Sequence, residues 1–176
     1  MSDAVDSLHP SAGRVVSWAA ERGLELEVRE YPEDGARTAE DAATAVGCQV
    51  DQIVKSMIFA ARSHDRDAGP DPARGDELIL ALTSGSNQVD GAALAELAGV
   101  DRCGRADPEA VRAATGYAIG GVPPFGHATA LRTWVDPHLL DFDVVWAAAG
   151  TPRHVFPIGP EALVDLTGAE PGSFTR

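Results

Sequence analysis

Within Asp51–Arg62, the residues Ile53, Val54, Met57, Ile58, Phe59, Ala60 and Ala61 form an apolar run with little helical periodicity. Such a run predicts a buried strand. In its middle stands Lys55, the only lysine of the chain; the other strongly basic residues are all arginine. Burying a lone cation is costly unless an anionic or polar partner receives it. Two readings follow. Lys55 either snorkels from a strand end or pairs with a core carboxylate, or it is aimed into a cleft where a phosphate or a developing oxyanion would meet it.

The stretches around this strand mix helices and strands without regular alternation. Val15, Trp18, Ala19 and Arg22 recur at three- and four-residue steps and predict a helix over 11–22 that stops at Gly23. Leu24, Leu26 and Val28 alternate with charged residues, the pattern of a half-buried strand. Thr38-Ala-Glu-Asp41 reads as a capping box opening a short alanine-rich helix that ends at Gly47. After the lysine strand, residues 63–76 read as a polar surface loop and 77–83 as a second buried strand paired with the first. Asp90 caps a helix to about Ala98, with Leu94 and Leu97 inward. Asp107-Pro108 opens a helix ending at Gly116. Strands at 131–135, 144–149 and 154–158, a cap at Asp136 and a last helix from Gly159 to about Leu166 complete the order. The tail from Gly168 reads as loose. This order favours an α+β fold around a mixed or antiparallel sheet. At 176 residues the chain is read as a flexible segment 1–10 followed by one domain over 11–170.

Composition narrows the class of function. A formal net charge of −13 argues against broad, nonspecific binding to nucleic acid, although it leaves room for a local grip on one end. Cys48 and Cys103 have no metal-like spacing, and no metal or cofactor is expected. The acidic N-terminus lacks the parts of a signal peptide, and no stretch is apolar enough to cross a membrane. A cytoplasmic monomer is the expectation.

The second informative stretch is Gly116–Gly126, with four glycines and two prolines in 11 residues. It is neither regular helix nor central strand. One reading is a surface turn with Phe125 tucked into the core. The other is a stiff loop whose backbone groups polarise a carbonyl or orient a water. Asp136 reads first as a helix cap, His154 as a structural histidine in an apolar strand, and His127 as solvated. Ser84 and Ser86 lie in a polar turn without a nucleophile elbow around either.

Taken in order, Thr38-Ala-Glu-Asp-Ala-Ala43, Ile53-Val-Lys-Ser-Met-Ile-Phe59, Asn87-Gln-Val-Asp90, Gly116–Gly126, Val135-Asp136 and Ala149-Gly150 ahead of His154 resemble the YbaK/EbsC family, which includes the prolyl-tRNA editing domains. The resemblance spans roughly 24–167. It implies a barrel-like sheet surrounded by helices, and a trans-editing hydrolase that cleaves the ester of mischarged aminoacyl-tRNA, with cysteine or alanine on tRNA-Pro type substrates. By that resemblance Lys55 with Gly120 and Gly121 would act on the ester, and Pro124, Phe125, Asp136 and His154 would bind substrate. The acceptor end of aminoacyl-tRNA would be the partner, with a prolyl-tRNA synthetase as a further one. Pro123 stands where the family more often carries Ser or Thr. The acidic surface would require a restricted basic face, for which Arg62, Arg132 and Arg153 are candidates. The competing reading is a non-catalytic module on the same fold that binds a nucleotide, a tRNA end or a protein.

Overall fold

The computed structural model describes residues 8–31, 36–63 and 76–176. One mixed eight-stranded sheet carries the molecule. Its strands are β1 (Arg29–Glu30), β2 (Ile53–Arg62), β3 (Glu77–Ser84), β4 (Arg102–Arg105), β5 (Arg132–Val135), β6 (Val145–Ala148), β7 (His154–Ile158) and β8 (Glu170–Pro171). Among the described residues five α-helices pack around it: α1 (Pro10–Ala20), α2 (Ala39–Val46), α3 (Gly91–Ala98), α4 (Pro108–Thr115) and α5 (Pro160–Thr167). The sheet order is β1-β7-β6-β2-β3-β5-β8, with β4 on the β6 side of β2. The apolar run thus becomes a central strand. β2 pairs antiparallel with β3 from Val54–Ser84 to Ala61–Glu77, and parallel with β6 at Ile53 and Val54 only.

Local chemistry accounts for the helix ends. Thr38 and Asp41 satisfy each other's backbone N–H groups in the expected capping box, and α2 stops at Gly47 in the left-handed conformation. Asp90 and Asp107 accept from the first-turn amides of α3 and α4, and Pro108 occupies a position that has no intrahelical donor to lose. Two apolar clusters form the bulk of the core. One joins α1 to Val54, Leu80, Leu82, Phe125, Val135 and Phe156. The other joins α3 to Phe59, Ile79, Trp134 and Phe174.

Several expectations are corrected. Residues 24–28 form no strand; only Arg29 and Glu30 pair with β7, although Leu24, Leu26 and Val28 pack on the core as their alternation requires. Leu97 faces outward at 41% exposure, because α3 lays Leu94, Ala95 and Ala98 on the sheet instead. β4 was not foreseen: Arg-Cys-Gly-Arg has no apolar run, and its strand character comes from the edge that β2 offers it. The tail is fixed, not loose. β8 pairs with β5, Gln88 and Arg176 exchange backbone hydrogen bonds, and Phe174 is fully buried. Of the expected flexible segment 1–10, residues 1–7 lie outside the described residues, and His9 caps α1. Most of the expected 63–76 loop also lies outside them. Cys48 and Cys103 are free thiols. Among the described residues no helix is long and apolar enough to cross a membrane.

Candidate functional site

Lys55 leaves β2 beside the turn that follows β3. Its Nζ donates to the carbonyls of Gly85 at 3.0 Å and Asn87 at 2.5 Å. Burial holds the ammonium below the usual lysine range; Glu40 and Asp136 pull it back up, and Arg105 presses it down further. Among the described residues the half-buried cation is received by backbone carbonyls and by no directly bonded carboxylate.

The turn that supplies those carbonyls is tied from below by Asp136. This carboxylate is 2% exposed and accepts from Ser84 N–H at 3.2 Å, Asn87 Nδ2 at 2.8 Å and His138 N–H at 3.0 Å. The cap read from Asp136-Pro137 is present, on a 3₁₀ turn over Pro137–Asp141. Ser84 Oγ donates to the Asp51 carbonyl at 2.8 Å, and Ser86 Oγ to the Asp51 carboxylate. The lysine anchor is therefore a turn held at both ends by buried or half-buried oxygen acceptors.

Lys55 lines a cleft of about 440 Å³, together with Ser56, Met57, Gly120, Thr151 and Pro152. Its walls are largely apolar, with Tyr31, Ile53, Val122, Trp146 and Val155 among them. Gly120 has φ +91°, a conformation other residues rarely adopt. Gly121 lies so close to the turn at Thr151 that a Cβ there would stand 2.5 Å from Thr151 Cα. The glycine loop and the 150–152 turn therefore lie directly against each other beside the cleft. Burial pushes the Tyr31 hydroxyl up to about 12, with the Cys48 thiol adding to it.

The other expected site residues sit differently. His154 is buried, and Thr151, not His154, lines the cleft; Thr151 Oγ1 lies 2.6 Å from His154 Nδ1. Burial pulls the His154 imidazole below the usual histidine range. Phe125 is buried, stacked on Trp18 at 5.0 Å and against Phe156 at 5.5 Å. Pro124 borders a separate depression shared with Trp18 and Arg22. His127 is not merely solvated: its Nε2 stands 2.6 Å from the Pro123 carbonyl, and burial lowers its pKa. The three candidate arginines are each engaged by a carboxylate, Arg62 by Asp76, Arg132 by Glu77 and Arg153 by Glu30. Sequence reasoning did not single out Tyr31, Trp146 or Thr151. Only the Thr151-Pro152 turn carried a signal, and it was read as a connection.

Chemically, the cleft offers one ammonium held in place beside a rigid glycine backbone, with apolar walls. It fits a small, partly apolar group attached to a polar or anionic one. Among the described residues no group of three potential metal ligands is assembled.

Comparison with known proteins gives the family and the fold. Residues 33–173 match the aminoacyl-tRNA editing domain family. A solved structure of a candidate trans-editing enzyme for prolyl tRNA synthetase superposes with a TM-score of 0.84 at 43% identity, over 97% of this chain and 99% of that one. The uncharacterized protein YwhH of Bacillus subtilis is 28% identical over 81% of this chain and 82% of its own. A proline–tRNA ligase of Nitratidesulfovibrio vulgaris is 31% identical over 66% of this chain, which spans only 18% of that ligase.

Proposed function

This chain belongs to the aminoacyl-tRNA editing domain family, and we propose that it is a trans-acting hydrolase that removes a wrongly attached amino acid, alanine or cysteine, from a tRNA-Pro type substrate. The observation that carries the reading is the Lys55 ammonium, fixed by the Gly85 and Asn87 carbonyls beside a cleft that Gly120 also lines.

In this reading the terminal adenosine enters at Lys55 and the aminoacyl side chain lies on the apolar wall. Water attacks the ester carbonyl carbon, and negative charge develops on the carbonyl oxygen. The carbon–oxygen bond to the ribose then breaks. The ribose oxygen leaves with a proton, and the amino acid leaves as the free acid. Lys55 stabilises charge on the reacting ester or the adjacent phosphate, an effect of the kind worth ~100-fold or more in turnover. The Gly120–Gly121 backbone positions the carbonyl or the water. An aminoacyl ester is already activated, so no nucleophilic side chain is required, and a ribose hydroxyl can assist. Asp136 serves by holding the 84–87 turn, and His154 by holding Thr151 at the cleft. A prolyl-tRNA synthetase is the proposed protein partner. Its participation would relieve the mismatch between an acidic surface and a tRNA.

The test is deacylation of alanyl-, cysteinyl- and seryl-tRNA by the wild type and by Lys55→Ala. Hydrolysis of at least one, lost in a folded Lys55→Ala protein, supports the reading. Binding of tRNA without hydrolysis of any would replace it with the non-catalytic module.

A further inference from the structure

β2 is fully paired on one edge and interrupted on the other. β3 follows it from Val54 to Ala61. On the opposite edge β6 stops at Val54, and β4 begins only at Phe59. Lys55, Ser56 and Met57 line the cleft at this gap.

The phase of the strand can be worked out from its neighbours. In a strand the N–H and C=O of successive residues point alternately to the two edges. The Ile58 carbonyl accepts from Ala106 N–H, and the Arg62 carbonyl accepts from Asp101 N–H, both on the β4 side. Even-numbered residues of β2 therefore face the interrupted edge. The partner strand gives the same answer. Leu82, which pairs with Ser56, turns its carbonyl to Asp136 N–H, away from β2. Ser56 thus points its backbone N–H and C=O into the gap, where neither β6 nor β4 stands opposite. Its Oγ is buried and has no partner among the described residues. A donor and an acceptor side by side on a strand edge accept one more residue in the antiparallel, hydrogen-bonded manner.

We infer that the gap in the sheet at Ser56 is a one-residue strand-addition site for the aminoacyl group: the Ser56 N–H donates to the ester carbonyl oxygen, and the Ser56 C=O accepts from the substrate's α-ammonium. This rests on the proposed hydrolase reading. It divides recognition between two surfaces. The backbone of β2 reads the ammonium and carbonyl that every α-amino acid carries, and the apolar wall reads the side chain. As water attacks, charge grows on the oxygen that Ser56 N–H already faces, so the same contact strengthens toward the transition state.

The test uses the full-length protein and two substrates of one size, alanyl-tRNA and lactyl-tRNA, in which a hydroxyl replaces the ammonium. Each enzymatic rate is divided by that substrate's spontaneous hydrolysis rate. The expected result is at least ~10-fold weaker acceleration for lactyl-tRNA, the scale of one lost charge-assisted hydrogen bond. Equal acceleration of both overturns the inference and leaves the hydrolase reading standing; acceleration of neither overturns the inference, and it overturns the hydrolase reading too only where cysteinyl- and seryl-tRNA are not hydrolysed either. A second arm removes the donor. Ser56→Pro deletes the N–H on an unpaired edge, where proline is tolerated. Alanyl-tRNA hydrolysis is expected to drop at least ~10-fold at an unchanged unfolding temperature. Retained activity in a folded Ser56→Pro protein overturns the inference, and if that variant does not fold, the substrate comparison decides alone.

Discussion

Gly121→Ala adds one methyl group at the seam between the glycine loop and the 150–152 turn. The new Cβ would stand 2.5 Å from Thr151 Cα, 2.8 Å from its carbonyl carbon and 2.8 Å from its nitrogen. All three are backbone atoms, so no rotamer change relieves the contact. Carbon atoms rest at ~3.5–4.0 Å, so the two segments must part by about 1 Å. Overpacking of this kind costs about 1–3 kcal/mol. In a chain of this length that lowers the unfolding temperature by roughly 2–4 °C per kcal/mol. The functional cost is of the same order. Gly120 and Thr151 both line the cleft, and a 1 Å misplacement of a positioning group can cost ~100-fold. The assay pairs thermal unfolding with kcat/KM for deacylation. Gly13→Ala is the control: a Cβ there meets nothing within 4 Å, and replacing a helical glycine by alanine should stabilise by about 0.5–1 kcal/mol. Gly121→Ala activity within twofold of wild type would refute the claim that the seam sets the cleft.

The remaining predictions concern charge and packing. Lys55→Ala should lose ~100-fold or more in turnover while unfolding at or above the wild-type temperature, since it removes a half-buried cation; a clear drop in stability would assign Lys55 to the fold. Because burial lowers the Lys55 pKa, the alkaline limb of the activity profile should fall below the ~10.4 of a free lysine, and a limb at or above that value would count against Lys55 as the charged group. Asp136→Asn sets an amide nitrogen among the donors of Ser84, Asn87 and His138, and a lost buried acceptor of this kind costs about 1–3 kcal/mol; calorimetry checks the stability and kcat/KM the accompanying release of Lys55. Burial lowers the His127 pKa, so below ~6.5 the unfolded chain binds a proton that the folded chain refuses, and stability falls with pH. The wild type should therefore lose more stability than His127→Gln on acidification, and identical pH dependences would refute this. Phe174→Ala should cost about 3–5 kcal/mol by denaturant unfolding, as for other buried aromatics.

How far the sequence carries the fold depends on how local each signal is. The capping box at Thr38, the aspartate caps at Asp90 and Asp107, and the glycines that stop α2, α3 and α4 act over three or four residues, and each element lies where those residues place it. The strand at 53–62 was readable because burial on both faces leaves a continuous apolar run. β4 and β8 were not readable, because their strand character is lent by neighbours: β4 by the free edge of β2 beyond Ile58, β8 by β5. The same reasoning explains the alternation at 24–28, which correctly marks a half-buried segment but cannot say whether a partner strand is there to bond it.

The site divides along the same line. Lys55 and the glycine loop stand out in the sequence because their composition is unusual. What joins them does not, because it is made of backbone and of distance. The carbonyls that receive Lys55 belong to a turn 30 and 32 residues away, and the turn against Gly121 belongs to Thr151. Phe125 shows the converse. The family resemblance placed it among the substrate-binding residues, yet its ring is buried on Trp18 and Phe156, as the reading of a turn with Phe125 tucked into the core has it. That packing holds one end of the loop, so Phe125→Leu should act on the cleft only through loop placement. It should then lower stability and kcat/KM together while leaving the alanyl-to-cysteinyl preference unchanged, and an altered preference in a deacylation panel would place the ring in the substrate's path.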